Sequence, residues 1–143
     1  MTDNLNLPLP RGMPALAWSG VLPFALAVVA AIVTPTSAGF AAAVFISYGA
    51  VILSFLGGAR WGRALATGAG LGRFVEAILP SLIGFSALLL LHVTWVALSL
   101  LATGFAIWLV IDQRDALWSP AYKRMRLGIS LAVLVLHAAW LVI

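Results

Sequence analysis

The chain has 143 residues, of which 64% are hydrophobic and only 8% are charged, and its mean hydropathy is +1.13. A soluble domain usually carries about 25% charged residues, so this composition excludes a soluble fold and predicts an all-α, polytopic membrane protein. The absence of cysteine excludes disulfides and thiolate metal sites. The net charge of +4 is explained by basic residues beside membrane spans, and no nucleic-acid partner is expected.

Five apolar runs predict one bundle of five transmembrane helices behind a polar N-terminal arm at residues 1–13. Each run is near the length of roughly 20 residues that crosses a bilayer. The first span is expected to be retained rather than cleaved, and Pro23 should kink it. The second is expected to continue as helix through residues 60–63 as far as a Gly-rich break at residues 68–72. The five spans are predicted at residues 14–33, 38–59, 74–91, 95–111 and 127–143.

The distribution of charge predicts the orientation of the bundle. Charged residues fall in the arm, in residues 60–76 and in residues 112–126, whereas the connections at residues 34–37 and 92–94 carry none. If residues 74–111 form two spans, all eight Lys and Arg lie on one side, as the positive-inside rule requires. The N-terminus is therefore expected inside and the C-terminus outside, in a bacterial cytoplasmic (inner) membrane.

Small residues recur every four positions along the second span. This spacing places them on one ridge of a helix, where another helix can approach closely. The ridge comprises Ala50, Ser54, Gly58 and Gly62, with Gly57 on an adjacent row. Three interpretations stay open: packing inside the chain's own bundle, docking of another subunit, and contact with a flat cofactor.

Basic side chains at the inner headgroup level form a second candidate site. Arg60 and Arg63 are three apart on one helix face and could hold a lipid phosphate or a carboxylate of a partner protein. The alternative is that they only set the orientation and extend to the interface. Three further cations, suited to anionic lipid or a partner, are Lys123, Arg124 and Arg126.

The largest inner loop also carries Asp112, Arg114 and Asp115, for which we expect helix capping and ion pairs. No charged residue is expected to be deeply buried, and Glu76 is expected at the interface. Because charge inside the membrane normally marks a transport path or proton relay, this expectation argues against an ion-coupled transporter.

Signals for cofactors and catalysis are weak. His92 and His137 are the only histidines, and their predicted depths differ, so ligation of a haem by this pair is not expected. We predict neither a cofactor nor a metal. The chain contains no Walker loop, zinc-protease motif or nucleophile elbow. Asp112 and Asp115 alone are too sparse to predict metal-dependent chemistry on prenyl or phosphoalcohol substrates.

Two stretches of the chain resemble a known family. The first is SYGAVILSFLGGARWG at residues 47–62. The second, looser block comprises Asp112, Arg114, Pro120, Tyr122 and Arg126, leading into the last span. In both, the chain is similar to small multi-span proteins of undefined function from proteobacteria, whose mitochondrial representative is called transmembrane protein sixty-nine. The resemblance covers almost everything after the arm. It implies a five-helix inner-membrane protein and supplies neither a reaction nor a catalytic residue.

Three hypotheses for the function follow. The leading one is a non-catalytic accessory or assembly subunit of a larger inner-membrane complex, respiratory or photosynthetic, with membrane lipids and other membrane subunits as partners. The second is a small membrane protein that binds a lipid, a quinone or a pigment. The third is a membrane enzyme that uses Asp112, Arg114 and the face of Arg60 and Arg63 at the inner headgroup level.

Overall fold

The computed structural model describes residues 9–116 and 118–143, and every regular element in these residues is a helix. The all-α prediction is thereby confirmed for this part of the chain, while most of the predicted N-terminal arm lies outside the described residues. A single 3-10 turn at Pro35–Ser37 joins the second and third helices. The α-helices are α1 (Met13–Ser19), α2 (Leu22–Val33), α3 (Ala38–Thr67), α4 (Leu71–Leu89), α5 (Thr94–Arg114) and α6 (Pro120–Ala139).

The first predicted span consists of two helices rather than one kinked helix. The break falls at Gly20, and Pro23 lies in the first turn of α2. Backbone N–H groups in the first turn make no hydrogen bond within the helix, so a proline there breaks none. The hydroxyl of Tyr48 in α3 donates a hydrogen bond to the carbonyl of Gly20 at 3.0 Å. This bond satisfies an acceptor at the break and ties the first helix pair to α3.

The third helix is longer than a bilayer crossing requires. Its 30 residues correspond to about 45 Å at 1.5 Å per residue, against a hydrocarbon core of about 30 Å. The helix ends at Gly68, whose φ of +61° lies in the left-handed region that favours glycine. The extra turns of α3 therefore carry Arg60 and Arg63 to the end of the bundle, next to the start of α4.

The third and fourth helices pack with their backbones in close approach. A Cβ atom added to Gly57 would clash with the carbonyl oxygen of Ala77, and one added to Gly84 would lie 2.8 Å from that of Ala50. Side chains at these two positions are excluded by the backbone of the neighbouring helix. The α3–α4 pair is consequently the tightest part of the bundle, in the manner of small-residue packing between membrane helices.

The last helix runs the length of the bundle. It begins after Ser119, whose hydroxyl accepts a hydrogen bond from the backbone N–H of Tyr122 at 3.2 Å, as an N-cap does. At its other end Trp140 packs edge-on against Phe45 of α3, with ring centroids 5.5 Å apart. The end of α6 therefore lies near the start of α3. The start of α6 lies near the end of α3, because Trp118, just before α6, packs against Arg63.

Aromatic rings centre the core, and apolar side chains also cover the outside. Phe24, Phe45 and Phe105 are fully or almost fully buried, and Phe24 meets the other two edge-on at 4.9 and 6.0 Å. Many large apolar side chains on all the helices are exposed, far beyond the few hundred Å² of apolar patch that a soluble monomer shows. This outer surface requires an apolar solvent.

Four helical segments are long and apolar enough to cross a membrane: residues 13–33, 35–67, 71–89 and 94–114. The chain is therefore a multi-helix membrane protein. The sixth helix is not among these segments, because its first two turns carry three basic residues and shorten its apolar part.

Candidate functional site: charged residues buried at one end of the bundle

Arg60 of α3 is the centre of a buried ion-pair network. Its side chain is only 6% exposed. One guanidinium nitrogen, Nη1, donates to Oδ1 of Asp112 at 2.7 Å, and the other, Nη2, donates to Glu76 at 2.5 Å and to Asp115 at 3.2 Å. Because Glu76 belongs to α4 and Asp112 to α5, this one arginine connects three helices.

Two further arginines complete the network. Arg126 of α6 donates from Nε and from Nη2 to Oδ2 of Asp112, both at 3.1 Å. Arg73 of α4 lies 3.4 Å from Glu76 and 3.3 Å from Asp115. Three guanidinium groups thus face three carboxylates, and the network joins the ends of α3, α4, α5 and α6 with no net charge.

The position of the two aspartates explains why they need arginine partners. Asp112 lies in the last turn of α5 and Asp115 is its C-cap residue, where the helix dipole disfavours negative charge. Both are also buried, and a carboxylate removed from water without a partner is costly. The arginines offset both effects, so the role of this cluster is structural: it holds the helix ends together.

An aromatic stack covers one side of the network. The guanidinium of Arg63 lies 4.4 Å from the ring centroid of Trp118, a cation–π geometry. Trp118 in turn stacks on Tyr122, with centroids 4.4 Å apart. The space between Arg60, Arg73 and this stack is about 20 Å³, which suits a single water molecule and is too small for an organic substrate.

The structure places the predicted basic residues in three different environments. Arg60 and Arg126 were expected to contact lipid or a partner, but both are buried in ion pairs within the chain. Lys123 is half-buried and Arg124 is exposed, so these two remain available to a lipid headgroup. Arg63 is half-buried beneath the ring of Trp118.

The expectation that no charged residue is buried was wrong. Arg60, Asp112, Asp115 and Arg126 are all less than one-tenth exposed. Their burial is between helices rather than in lipid, and each charge meets an opposite charge, which is the condition under which membrane proteins tolerate buried ions.

Asp112 and Asp115 form ion pairs, as predicted for the inner loop, but their partners are not Arg114 of the same loop. Asp112 and Asp115 bind arginines from α3, α4 and α6, whereas Arg114 is exposed. Sequence reasoning missed Arg73 and assigned Glu76 only to the interface. The i, i+3 spacing of these two residues on one helix was the one local signal that they act together.

The predicted ridge of small residues divides into an inner and an outer row. Gly57 and Ala50 face α4 at close approach, and the Ser54 hydroxyl donates to the carbonyl of Ala50 at 2.8 Å. Gly58 and Gly62 are exposed, with no atom within 4 Å of a Cβ added to either. The inner row therefore serves packing inside the bundle, and the outer row presents an open face, named here the Gly58–Gly62 face.

The two histidines occupy different environments. His92 is exposed in the connection between α4 and α5. His137 of α6 is 6% exposed and lies among aromatic rings, with Phe45 at 4.7 Å and Phe105 at 5.6 Å between centroids. In the described residues, no group of three or more metal-ligating side chains could hold a metal ion.

These features define a helical membrane protein whose charged residues connect helix ends and whose aromatic residues fill the core. The model of the family described as "Protein of unknown function (DUF3429)" matches residues 9–142, and the chain belongs to this family. No curated protein and no solved structure matches the chain significantly. The match supports the sequence resemblance at the level of an uncharacterised family.

Proposed function

We propose that this protein is a non-catalytic accessory or assembly subunit of a larger complex in the bacterial cytoplasmic (inner) membrane. The observation that carries the proposal is the Gly58–Gly62 face. This face is the exposed side of α3. The other side of α3, which carries Gly57, packs directly against the backbone of α4. An apolar transmembrane helix of a partner subunit is its proposed occupant, in a complex of respiratory or photosynthetic type.

The shape of the face suits a helix. Two glycines one turn apart leave a shallow groove, and the flanking Phe55 and Leu65 are 70% and 61% exposed. A helix seated in this groove would gain van der Waals contact with both side chains and approach the α3 backbone closely. Such packing is the main source of affinity between helices in lipid, where the hydrophobic effect does not distinguish helix from lipid.

The state of the charged residues favours a structural role over a catalytic one. Every side-chain carboxylate in the described ranges, namely those of Glu76, Asp112 and Asp115, is bound by at least one arginine. Each of these carboxylates already accepts hydrogen bonds from a guanidinium group, where a catalytic carboxylate would face a substrate. An enzyme that uses Asp112 with Arg114 has no comparable support, since Arg114 is exposed outside the network.

In the proposed topology, five spans cross the membrane with the N-terminus inside and the C-terminus outside. The network and the other basic side chains of α3 to α6 lie at one end of the bundle, which the positive-inside rule assigns to the cytoplasm. Support for α6 as the fifth span comes from its contacts, since Arg126 meets Asp112 at the charged end and Trp140 meets Phe45 at the other. The resemblance to proteobacterial proteins supports the choice of membrane.

The test is purification of the tagged chain from native membranes in mild detergent. In the Gly58→Leu/Gly62→Leu variant, two leucines fill the groove, so we expect the partner subunits to be lost while the chain still inserts and elutes as a folded species. The matched control is Gly39→Leu, an exposed position on the same helix where an added Cβ has no atom within 4 Å, and it should retain the partners.

Three results would contradict the proposal. Partners retained at full stoichiometry by the double variant would exclude the Gly58–Gly62 face as the docking surface. A wild-type chain that purifies only as its own dimer, and as a monomer in the double variant, would make the face a contact between two copies. A wild-type monomer without other subunits would exclude the accessory role.

A second candidate function, binding of a lipid, quinone or pigment, is favoured by one observation. An apolar cleft of about 430 Å³ lies between α5 and α6, within the range of about 300–1,000 Å³ that ligand sites occupy.

A further inference from the structure

Three cations outside the ion-pair network lie where the end of α5 meets the start of α6. Arg114 and Arg124 are exposed, and Lys123 is half-buried. The side-chain amide of Gln113 donates a hydrogen bond to the backbone carbonyl of Lys123 at 2.8 Å. Because this bond joins the two helix ends, Arg114 and Arg124, each one residue further along the chain, lie at the same corner of the bundle. Arg114, Lys123 and Arg124 are named here the Arg114–Arg124 patch.

The patch carries positive charge that nothing in the described chain balances. The side-chain carboxylates of the described ranges, those of Glu76, Asp112 and Asp115, are all bound by arginines of the network. The patch cations form no ion pair with the described residues. The sixth helix has no acidic residue in its first turn, and the N-terminal end of a helix itself carries partial positive charge. The local potential is therefore positive, and the patch favours an anion.

An apolar surface that fits acyl chains adjoins the patch. Leu127, Leu131 and Val135 follow Arg124 at intervals of three or four residues, so they form one stripe on the same face of α6. These three residues are 40%, 49% and 68% exposed. A molecule that lies along this stripe with its head at Arg124 is charged at one end and apolar along its length, which is the character of a phospholipid.

Two observations place the patch at the depth of the lipid headgroups. The candidate span at residues 94–114 ends at Arg114. Trp18 of α1 packs against Gly128 of α6, where an added Cβ would lie 2.9 Å from a ring carbon, and Gly128 is about one helical turn beyond Arg124. Trp18 is 45% exposed, and tryptophan of this kind is enriched at the interface of a bilayer with water. Phosphate groups of the bilayer therefore lie at the level of the patch.

We propose that the Arg114–Arg124 patch binds the headgroup of a phospholipid with two phosphates, a diphosphatidylglycerol. Each phosphate accepts from one arginine, because a guanidinium group can donate two parallel hydrogen bonds to phosphate, and Lys123 adds a point charge. Basic sites between membrane helices suit such headgroups, and the acyl chains lie along the apolar stripe of α6. Compared with the sequence-based expectation, the site gains Arg114 and loses Arg126, which the network occupies.

The test is native mass spectrometry of the purified chain in detergent, which resolves each bound lipid. The probes are diphosphatidylglycerol, phosphatidylglycerol and phosphatidylcholine with the same acyl chain. The first should bind about fivefold more tightly than the second, the factor that one further contact between a cation and a phosphate contributes. The third, whose phosphate is balanced by choline, should bind most weakly. Equal affinity for the three lipids would overturn the proposal.

Matched variants separate the patch from general attraction by net charge. Arg124→Gln should weaken the binding of diphosphatidylglycerol about fivefold, and Arg114→Gln/Arg124→Gln should weaken it roughly twenty-five-fold. The control Arg11→Gln removes the same charge from an exposed residue before α1 and should bind as the wild type does. Equal weakening by Arg11→Gln and Arg124→Gln would mean that net charge alone attracts the lipid, and the site would be refuted.

Folding is controlled by a variant that keeps the charge. Because Arg114 and Arg124 are exposed and form no ion pair with the described residues, the glutamine variants should retain the circular dichroism of the wild type. Arg114→Lys/Arg124→Lys keeps both charges and should bind the lipid more tightly than the double glutamine variant. Equal affinity of these two double variants would contradict the electrostatic basis of the site.

A protein is the alternative occupant of the patch. An acidic protein that co-purifies with the wild type and is lost from Arg114→Gln/Arg124→Gln, while diphosphatidylglycerol binds to both equally, would overturn the proposal in favour of a protein contact. Lipid binding is measured on the purified chain and does not involve the Gly58–Gly62 face, so this proposal and the proposed accessory role can fail independently.

Discussion

Replacement of Arg60 by methionine is the sharpest test of the ion-pair network. The substitution keeps an unbranched apolar stem but removes the hydrogen bonds to Glu76, Asp112 and Asp115. The cluster changes from neutral to a net charge of −1, with two carboxylates that are 6% exposed or less. Breaking a buried pair by removing one partner costs about 3–5 kcal/mol, so the free energy of unfolding should fall by about that amount.

The assay is unfolding in mixed micelles with increasing dodecyl sulfate, followed by circular dichroism. Arg124→Met is the matched control, because Arg124 is exposed and a surface charge contributes about 0–1 kcal/mol. Equal stability of the Arg60→Met and Arg124→Met proteins would refute the network as a stabilising feature.

A second substitution separates loss of charge balance from loss of packing. In Arg60→Met/Asp115→Asn, two balanced pairs remain, Arg73 with Glu76 and Arg126 with Asp112. We expect the double variant to be more stable than Arg60→Met alone by about 1 kcal/mol or more, within the range of coupling between neighbouring charges. If the two substitutions instead destabilise additively, the damage comes from packing and the electrostatic argument fails.

Two further predictions concern packing and topology. Gly57→Ala should destabilise the bundle by about 1–3 kcal/mol, because the added Cβ would clash with the carbonyl oxygen of Ala77. Gly58→Ala should be neutral or stabilise the bundle by up to about 1 kcal/mol. Thermal unfolding in detergent compares the two variants, and equal melting temperatures would contradict the division of the small residues into an inner and an outer row. The chain has no cysteine, so single cysteines at the exposed positions Ala116 and Val142 report on topology. A membrane-impermeant maleimide should label the second in intact cells and the first only after permeabilisation, and labelling of both from the same side would exclude α6 as a fifth span.

The membrane class and the helix order were predictable because they follow from local properties. Each crossing must satisfy its backbone hydrogen bonds within a helix, so apolar length alone predicts where a span lies. The end of α3 at Gly68 was likewise readable, since a Gly-rich stretch interrupts the apolar run and glycine readily adopts the left-handed C-terminal conformation. The break at Gly20 was expected as a kink at Pro23, because proline is the strongest local signal in that segment.

The two rows of small residues show where local reasoning stops. Gly57 and Gly58 are adjacent in sequence and point about 100° apart on the helix. Their roles depend on how α3 is rotated against α4, and that rotation is set by contacts with Ala77 and Pro80. No periodicity within α3 contains this information.

The sequence by itself determined that this protein is a bundle of apolar helices with its charges gathered at one end, because hydropathy and charge placement act locally and a bilayer is a nearly uniform solvent. Only the tertiary structure decided which charges meet. Arg60 and Asp112 are separated by 52 residues, and they pair because four helix ends converge at one point. The same convergence buried Arg60 and Arg126, which were expected at the lipid interface, in ion pairs between helix ends.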